Sequence, residues 1–283
     1  MVNIVICYQA GTGGMLKTCL SAIERHTNSP YRVWLVTAEA DGALRELAGD
    51  YRVPILENPE VKDRHGVSNI HGALLDWAVG GICHDDDFIL TLDSDCFPVA
   101  DGWLTDLLTM IDNGARIAGI LHPWAPPPED MDKTKVEWRV RSQHCWNSTH
   151  VACQLIRKSD LNELGQKYNA GDDTGMAITL EAHKRGWKID GFKPTRCPLL
   201  RISSMVNFEE GEHGRDSEFN RYSCVVFGDK VYHHGGYSRA TMGDDRPYGD
   251  RLNWVTDLIL YRLGAEVLLL DDQSHQYRFD DEE

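Results

Sequence analysis

The sequence predicts an α/β fold, a mostly parallel sheet with helices on both faces. Two observations lead there. The first hundred residues alternate strand and helix signals in βαβαβ order. The strand segments are near-continuous apolar runs, as expected of parallel strands covered on both sides. A third observation sets the scale: 283 residues that are 42% apolar can bury one sizeable core. In order, "NIVICY" (3–8) reads as a strand, "GTGG" (11–14) as a loop, and 15–26 as a helix. That helix carries Met15, Leu16, Cys19, Leu20 and Ile23 at helical spacing. "YRVWLVTAEA" (31–40) is the second strand, "DGALRELAGD" (41–50) a short helix and "VPILENP" (53–59) the third strand. "SNIHGALLDWAVGGI" (68–82) is a helix and "DDFILTLDSD" (86–95) the fourth strand.

Beyond Trp103 the pattern predicts a helix over 103–114 and a strand over 115–121. A loop follows over 122–132, because three consecutive prolines cannot enter a central strand. Residues 148–161 return to strand and then turn, and 172–189 form a helix stopped by Gly186. The chain is then loop-rich until "KVYHHGG" (230–236), and a final helix spans 251–264. With no internal repeat or low-complexity linker, one domain is expected over 1–283, ending in an acidic tail over 271–283.

The net charge of −15 and the lack of a dense Lys/Arg block argue against a nucleic-acid or anionic-membrane partner. An anionic ligand would need a cation as mediator. No apolar run approaches the roughly 18 residues of a membrane helix, and "MVNIVICYQAG" lacks a signal-peptide pattern, so a soluble, cytoplasmic protein is expected. The eight cysteines are scattered without a CxxC pair and read as reduced thiols. "HCWNSTHVAC" (144–153) could in principle hold zinc. Its spacing matches no common zinc pattern, and a loop leading into a strand explains it as well.

The chemistry concentrates in "ILTLDSDCFPVADGW" (89–103). Asp93 and Asp95 stand at the carboxyl end of the fourth strand, where open α/β sheets bind ligands. Side chains two residues apart on an extended chain point the same way. Two adjacent carboxylates need a counter-charge, which Mn²⁺ or Mg²⁺ would supply while also bridging to phosphate oxygens. The plainer alternative is an acidic turn that bonds nearby amides. Asp85, Asp86 and Asp87, at the amino end of the same strand, read as solvated.

With these residues in place, the sequence resembles glycosyltransferases of the GT-A fold, within the family-2-type inverting enzymes. The resemblance rests on 88–103 (strand, DxD and the following Pro…Trp), on 13–23 (first helix), on "GDDTGMAITLEAHKRGWKI" (171–189) and on "VYHHGGYSR" (231–239). It implies a nucleotide-sugar-binding half over about 1–115 and an acceptor and catalytic half over about 116–270. The implied donor is a nucleoside diphosphate sugar, and the acceptor a glycan, a protein or a small molecule. Asp93 and Asp95 would hold the metal, with His233 as third ligand and His234 as the alternative. Asp173 would be the catalytic base and Asp172 its acidic neighbour, against the plainer reading of a helix cap. Donor contacts would come from Tyr8, Gln9 and Ala10, from Glu39 or Asp41, from Ser94 between the two acids, and from Arg239. Arg64, His65 and Ser68 are further candidates. Trp124, Trp138 and Trp146 would line an acceptor region.

The sequence departs from the family pattern: Asp172-Asp173 replaces Glu-Asp, and the Gln-x-x-Arg-Trp segment of processive synthases is absent. That points to an enzyme adding a single sugar. Three alternatives stay open: a retaining glycosyltransferase, a sugar-phosphate nucleotidyltransferase, and a non-catalytic nucleotide- or carbohydrate-binding protein. "YQAGTGGMLK" supplies neither a P-loop nor the Gly-rich, Arg- and Lys-bearing opening of the nucleotidyltransferases.

Overall fold

The computed structural model describes residues 1–61, 67–123, 146–170, 174–196 and 223–235. Its main layer is a seven-stranded sheet. Strands β1 (Val2–Cys7), β2 (Tyr31–Thr37), β3 (Ile55–Glu57) and β4 (Phe88–Asp93) run parallel, with β1 paired on both sides so that Cys7 stands level with Val36 and Asp93. β7 (Trp146–Arg157) inserts antiparallel between β4 and β6 (Ile117–Pro123), and β8 (Ile189–Phe192) closes the edge parallel to β6. The spatial order is β3-β2-β1-β4-β7-β6-β8. A second sheet, β5-β11-β10-β9, joins β5 (Cys96–Pro98), β9 (Pro194–Arg196), β10 (Ser223–Phe227) and β11 (Val231–Gly235).

Strand alternation builds two cores from one sheet. Ile4, Ile6, Leu90 and Leu92 face one side, together with Met15, Leu16, Cys19, Leu20 and Ile23 of α1 (Gly13–His26). α2 (Gly42–Tyr51) and α4 (Trp103–Asp112) pack on the same side. Val5 and Ile89 face the other, against α3 (Val67–Ile82), α5 (Lys158–Leu164) and α6 (Met176–Lys184). The expected helices on both faces are therefore present.

Local chemistry sets several boundaries. Asp41 caps α2, its carboxylate accepting from the Leu44 amide at 2.8 Å, and α1 ends on Arg25 and His26, which suit the negative end of the helix dipole. Gly186, at φ +67°, follows α6 as expected of a helix stop.

The structure also departs from expectation. The turn after β7 is the helix α5, and the short strands β9 and β10 fall in the stretch expected to be loop-rich. The stretch expected as helix over 172–189 is helical only over Met176–Lys184, and Ile189 already belongs to β8. The final helix (251–264), the acidic tail, Trp124 and Trp138 lie outside the described residues. No helix among the described residues is long and apolar enough to cross a membrane.

Candidate functional site

The site lies where β4 ends. Asp93 is the last residue of β4, and the chain turns at once into β5. β5 is held by β11, with Cys96 opposite His233, so a residue 140 positions away in sequence sits against the acidic turn. β7 arrives from the other side, pairing antiparallel with β4 as far as Leu92 opposite Cys153. Continued past the end of β4, that register runs toward His150.

The result is a cluster of Asp93, His150 and His233, one ligand atom from each lying within 4.8 Å of the others. The two imidazole rings are 5.3 Å apart and tilted by 38°. A fourth group backs the carboxylate: His71 Nε2, from the first half of α3, lies 3.3 Å from Asp93 Oδ1. Asp93 keeps some exposure while His233 is buried.

Asp95 is different. It is 3% exposed, and its Oδ1 has no hydrogen-bond partner among the described residues. Burial, and then the neighbouring Asp93 charge, push its carboxyl well above the usual carboxylate range. A buried carboxylate oxygen without a donor is costly unless a cation or proton meets it. The carboxylate and two imidazoles of the cluster make a donor set that fits a divalent ion, and Asp95 is not among them. The thiols around it are not nucleophiles: burial raises Cys19 and Cys96, and the neighbouring Cys153 thiol raises Cys96 further.

The candidate donor contacts divide. Ser94 is buried, and its hydroxyl donates to Thr12 Oγ1 at 3.5 Å, which ties the acidic turn to the start of α1. Gln9 accepts from the Thr12 amide and hydroxyl through its carbonyl, and Ala10 is exposed beside it. Tyr8 is buried, with its hydroxyl donating to Asp41 Oδ2 at 2.8 Å. Burial and that bond raise its phenol above the usual range. Both oxygens of Asp41 are thus engaged by the chain itself, one by Tyr8 and one as helix cap. Glu39 is exposed, and its backbone bonds to the Thr37 hydroxyl. Ser68 falls in the first turn of α3, His234 pairs in β11 opposite Cys224, and Trp146 opens β7. Arg64, His65, Asp172, Asp173 and Arg239 lie outside the described residues.

The described residues on the two sides of 171–173 are tied to α3 and to each other. Asp76 on α3 accepts from the amides of Tyr168 (2.7 Å) and Asn169 (3.1 Å). The Tyr168 carbonyl accepts from the Gly175 amide at 2.8 Å. Gly72 permits this closeness, since a Cβ there would stand 2.7 Å from Asn169 Cα.

Sequence reasoning missed His71 and the role of His150. His150 does lie within the stretch weighed for zinc, but only the β4–β7 register brings it to Asp93. A cavity of about 750 Å³ lies elsewhere, lined in part by Asn58, Asp76, Trp77 and Lys158, and no residue of the cluster lines it.

No protein-family model matches the chain, and no curated protein matches it. Solved structures do. The galactosyltransferase LgtC, in complex with donor and acceptor sugar analogues, is 14% identical with a TM-score of 0.53, covering 93% of this chain and 95% of its own. A 4-diphosphocytidyl-2C-methyl-D-erythritol synthase from Anaerococcus prevotii is 10% identical with a TM-score of 0.50, covering 74% and 95%. The mannosyltransferase PcManGT from Pyrobaculum calidifontis, in complex with GDP-Man and Mn²⁺, is 13% identical with a TM-score of 0.48; the match covers 67% of this chain and only 54% of that one. The likeness spanning nearly the whole of both chains, taken with the sheet order and the two helical layers, shows that this chain has a GT-A-type fold.

Proposed function

We propose that the chain is a divalent-cation-dependent, inverting glycosyltransferase that moves one sugar from a nucleoside diphosphate sugar to an acceptor hydroxyl. The observation that carries this reading is the convergence of Asp93, His150 and His233 at the carboxyl end of β4. Open α/β sheets take their ligands there, and the fold supports the assignment only as an analogy.

In this reading Asp93 and His233 would hold the cation, with His150 gathered beside them and Asp95 as the second acid of the turn. A bound divalent ion supplies Lewis-acid neutralisation of the diphosphate charge that grows as the glycosidic bond breaks. The start of α1, tied to Ser94 through Thr12, presents helix N-terminal amides to the same anion. The nucleoside lies along the ends of β1 and β2, where Gln9, Ala10 and Glu39 are placed. Asp173, with Asp172 beside it, takes the proton from the acceptor hydroxyl as the new bond forms. α3 holds Tyr168 and Asn169, just ahead of that pair, through Asp76. Arg64 and Arg239 would add cationic contacts to the donor.

The test is incubation with Mn²⁺ and a panel of nucleotide sugars, following release of the free nucleoside diphosphate. Release from one donor, lost in Asp173→Asn with donor binding retained, supports the reading. Full turnover by Asp173→Asn points to another base or to retention. Pyrophosphate release from a nucleoside triphosphate and a sugar phosphate would replace transfer with nucleotidyl transfer.

A further inference from the structure

We infer that the cavity beside α3 is a second binding site, separate from the Asp93 cluster, and that it takes a neutral oligosaccharide stacked on Trp77. The binding does not depend on the transfer proposed above, and no residue of the cluster lines this cavity.

Three stretches of chain build it. Its volume of about 750 Å³ falls within the range usual for small-ligand sites. α3 supplies Ala73, Asp76 and Trp77, which share one helix face at i, i+3 and i+4. Asn58 and Glu60 come from between β3 and α3. Lys158 and Asn162 come from α5, and Gln166 and Lys167 from just beyond it. This last group belongs to the amino end of β4: the Lys158 amide donates to the Asp87 carbonyl at 2.9 Å, and Asn162 Nδ2 donates to Asp85 Oδ1. The cavity therefore reaches toward the end of β4 away from Asp93.

Trp77 is the feature that points to a ligand. It is 43% exposed, one of two exposed large apolar side chains among the described residues, the other being Met1. One turn away on the helix stand Ala73, Gly80 and Gly81, too small to cover an indole, while Leu74 is buried in the core. Glycine is a poor helix former. A Cβ at Gly80 or Gly81 would meet nothing within 4 Å, so packing requires neither glycine.

The rest of the lining names the ligand class. Glu60 and Asp76 offset Lys158 and Lys167, which leaves no excess positive charge for a phosphate or a nucleotide. An aromatic face suits the C–H face of a sugar ring, and sugar hydroxyls, each donor and acceptor, match side-chain amides that are both. Asn58 Oδ1 accepts from the Glu60 amide at 3.2 Å, and Asn162 Nδ2 is engaged by Asp85 at 2.8 Å. Each keeps the other half of its amide for a hydroxyl, and Gln166 brings a third amide. An apolar protein segment laid on Trp77 would leave these amides and charges without partners.

The experiment titrates the full chain with neutral tetrasaccharides of the cello, malto, manno, xylo and N-acetylchito series, read by tryptophan fluorescence and saturation-transfer NMR. At least one should bind. Trp77→Ala should weaken that binding by about tenfold or more, Trp77→Phe, which keeps a ring, should weaken it less, and Asp93→Ala should leave it unchanged. No binding by any of the series, or equal binding by Trp77→Ala, overturns the inference. So does binding lost in Asp93→Ala but kept in Trp77→Ala, which moves the saccharide to the carboxyl end of β4. A dimer that Trp77→Ala abolishes, without saccharide binding, replaces the sugar with a second copy of this chain. Because binding at Trp77 is read apart from turnover, its failure and the failure of the proposed transfer are told apart.

Discussion

Both ends of β4 carry a cluster of aspartates, and the two clusters live in opposite electrostatic conditions. At the amino end, Asp85 Oδ1 accepts from Asn162 Nδ2 at 2.8 Å. Asp87 accepts from the His84 amide at 3.1 Å and stands 3.5 Å from the chain's terminal ammonium. Those donors, the His84 amide foremost, hold the Asp87 carboxyl below the usual range. At the carboxyl end Asp95 is buried without a donor on Oδ1 and its carboxyl is pushed up. The fold has already satisfied the acid at the amino end, whereas it has buried Asp95 and left it short of donors. In the sequence the two groups look alike; the difference lies in which peptide N–H groups and charges the fold brings to each.

The comparison breaks most visibly at Asp93. Asp93→Ala should lower donor turnover by about 100-fold or more through loss of the cation, while Asp86→Ala stays near wild type; nucleoside diphosphate release measures both. Next in size is Asp95→Asn, assayed in chelator. Removing a buried carboxyl that the fold makes costly to ionise should stabilise the metal-free chain by about 1–2 kcal/mol, seen as a higher melting temperature; a lower one would contradict this.

The amino end predicts the reverse sign. Asp87→Asn should destabilise by about 1 kcal/mol at pH 7 in denaturant titrations. Because the folded carboxyl titrates below its unfolded value, this contribution is full above the unfolded pKa of about 3.9. It fades as the pH falls through the lower, folded value, so wild type and variant converge in acid. Asn162→Ala, which removes one exposed contact, should cost about 0.5 kcal/mol or less.

Much of the fold was legible. β1, β2, β4 and the helices α1 to α4 announced themselves because each is an apolar run or a helical stripe whose partners follow closely in sequence, and the short β3 pairs with the nearby β2. β5 and β9 are three residues long, and β5 finds its partner β11 more than 130 residues on. No local pattern records such a pairing. The site divides the same way. Asp93 was readable as the end of a buried strand, and His233 from its resemblance to a late histidine segment. His150 became a candidate ligand only through an antiparallel register, and His71 sits on a helix whose sequence gives no sign of facing β4. The side chains of Tyr8 and Asp41, polar residues at the strand ends, bond to each other, a pairing 33 residues apart that no local pattern records.

The most direct measurement is anomalous scattering from crystals soaked with Mn²⁺ and a nucleoside diphosphate sugar. The account predicts a strong manganese peak among Asp93, His150 and His233, beside the diphosphate. A peak at Asp85–Asp87 instead, or a diphosphate bound at the β4 end with no ion, would contradict it.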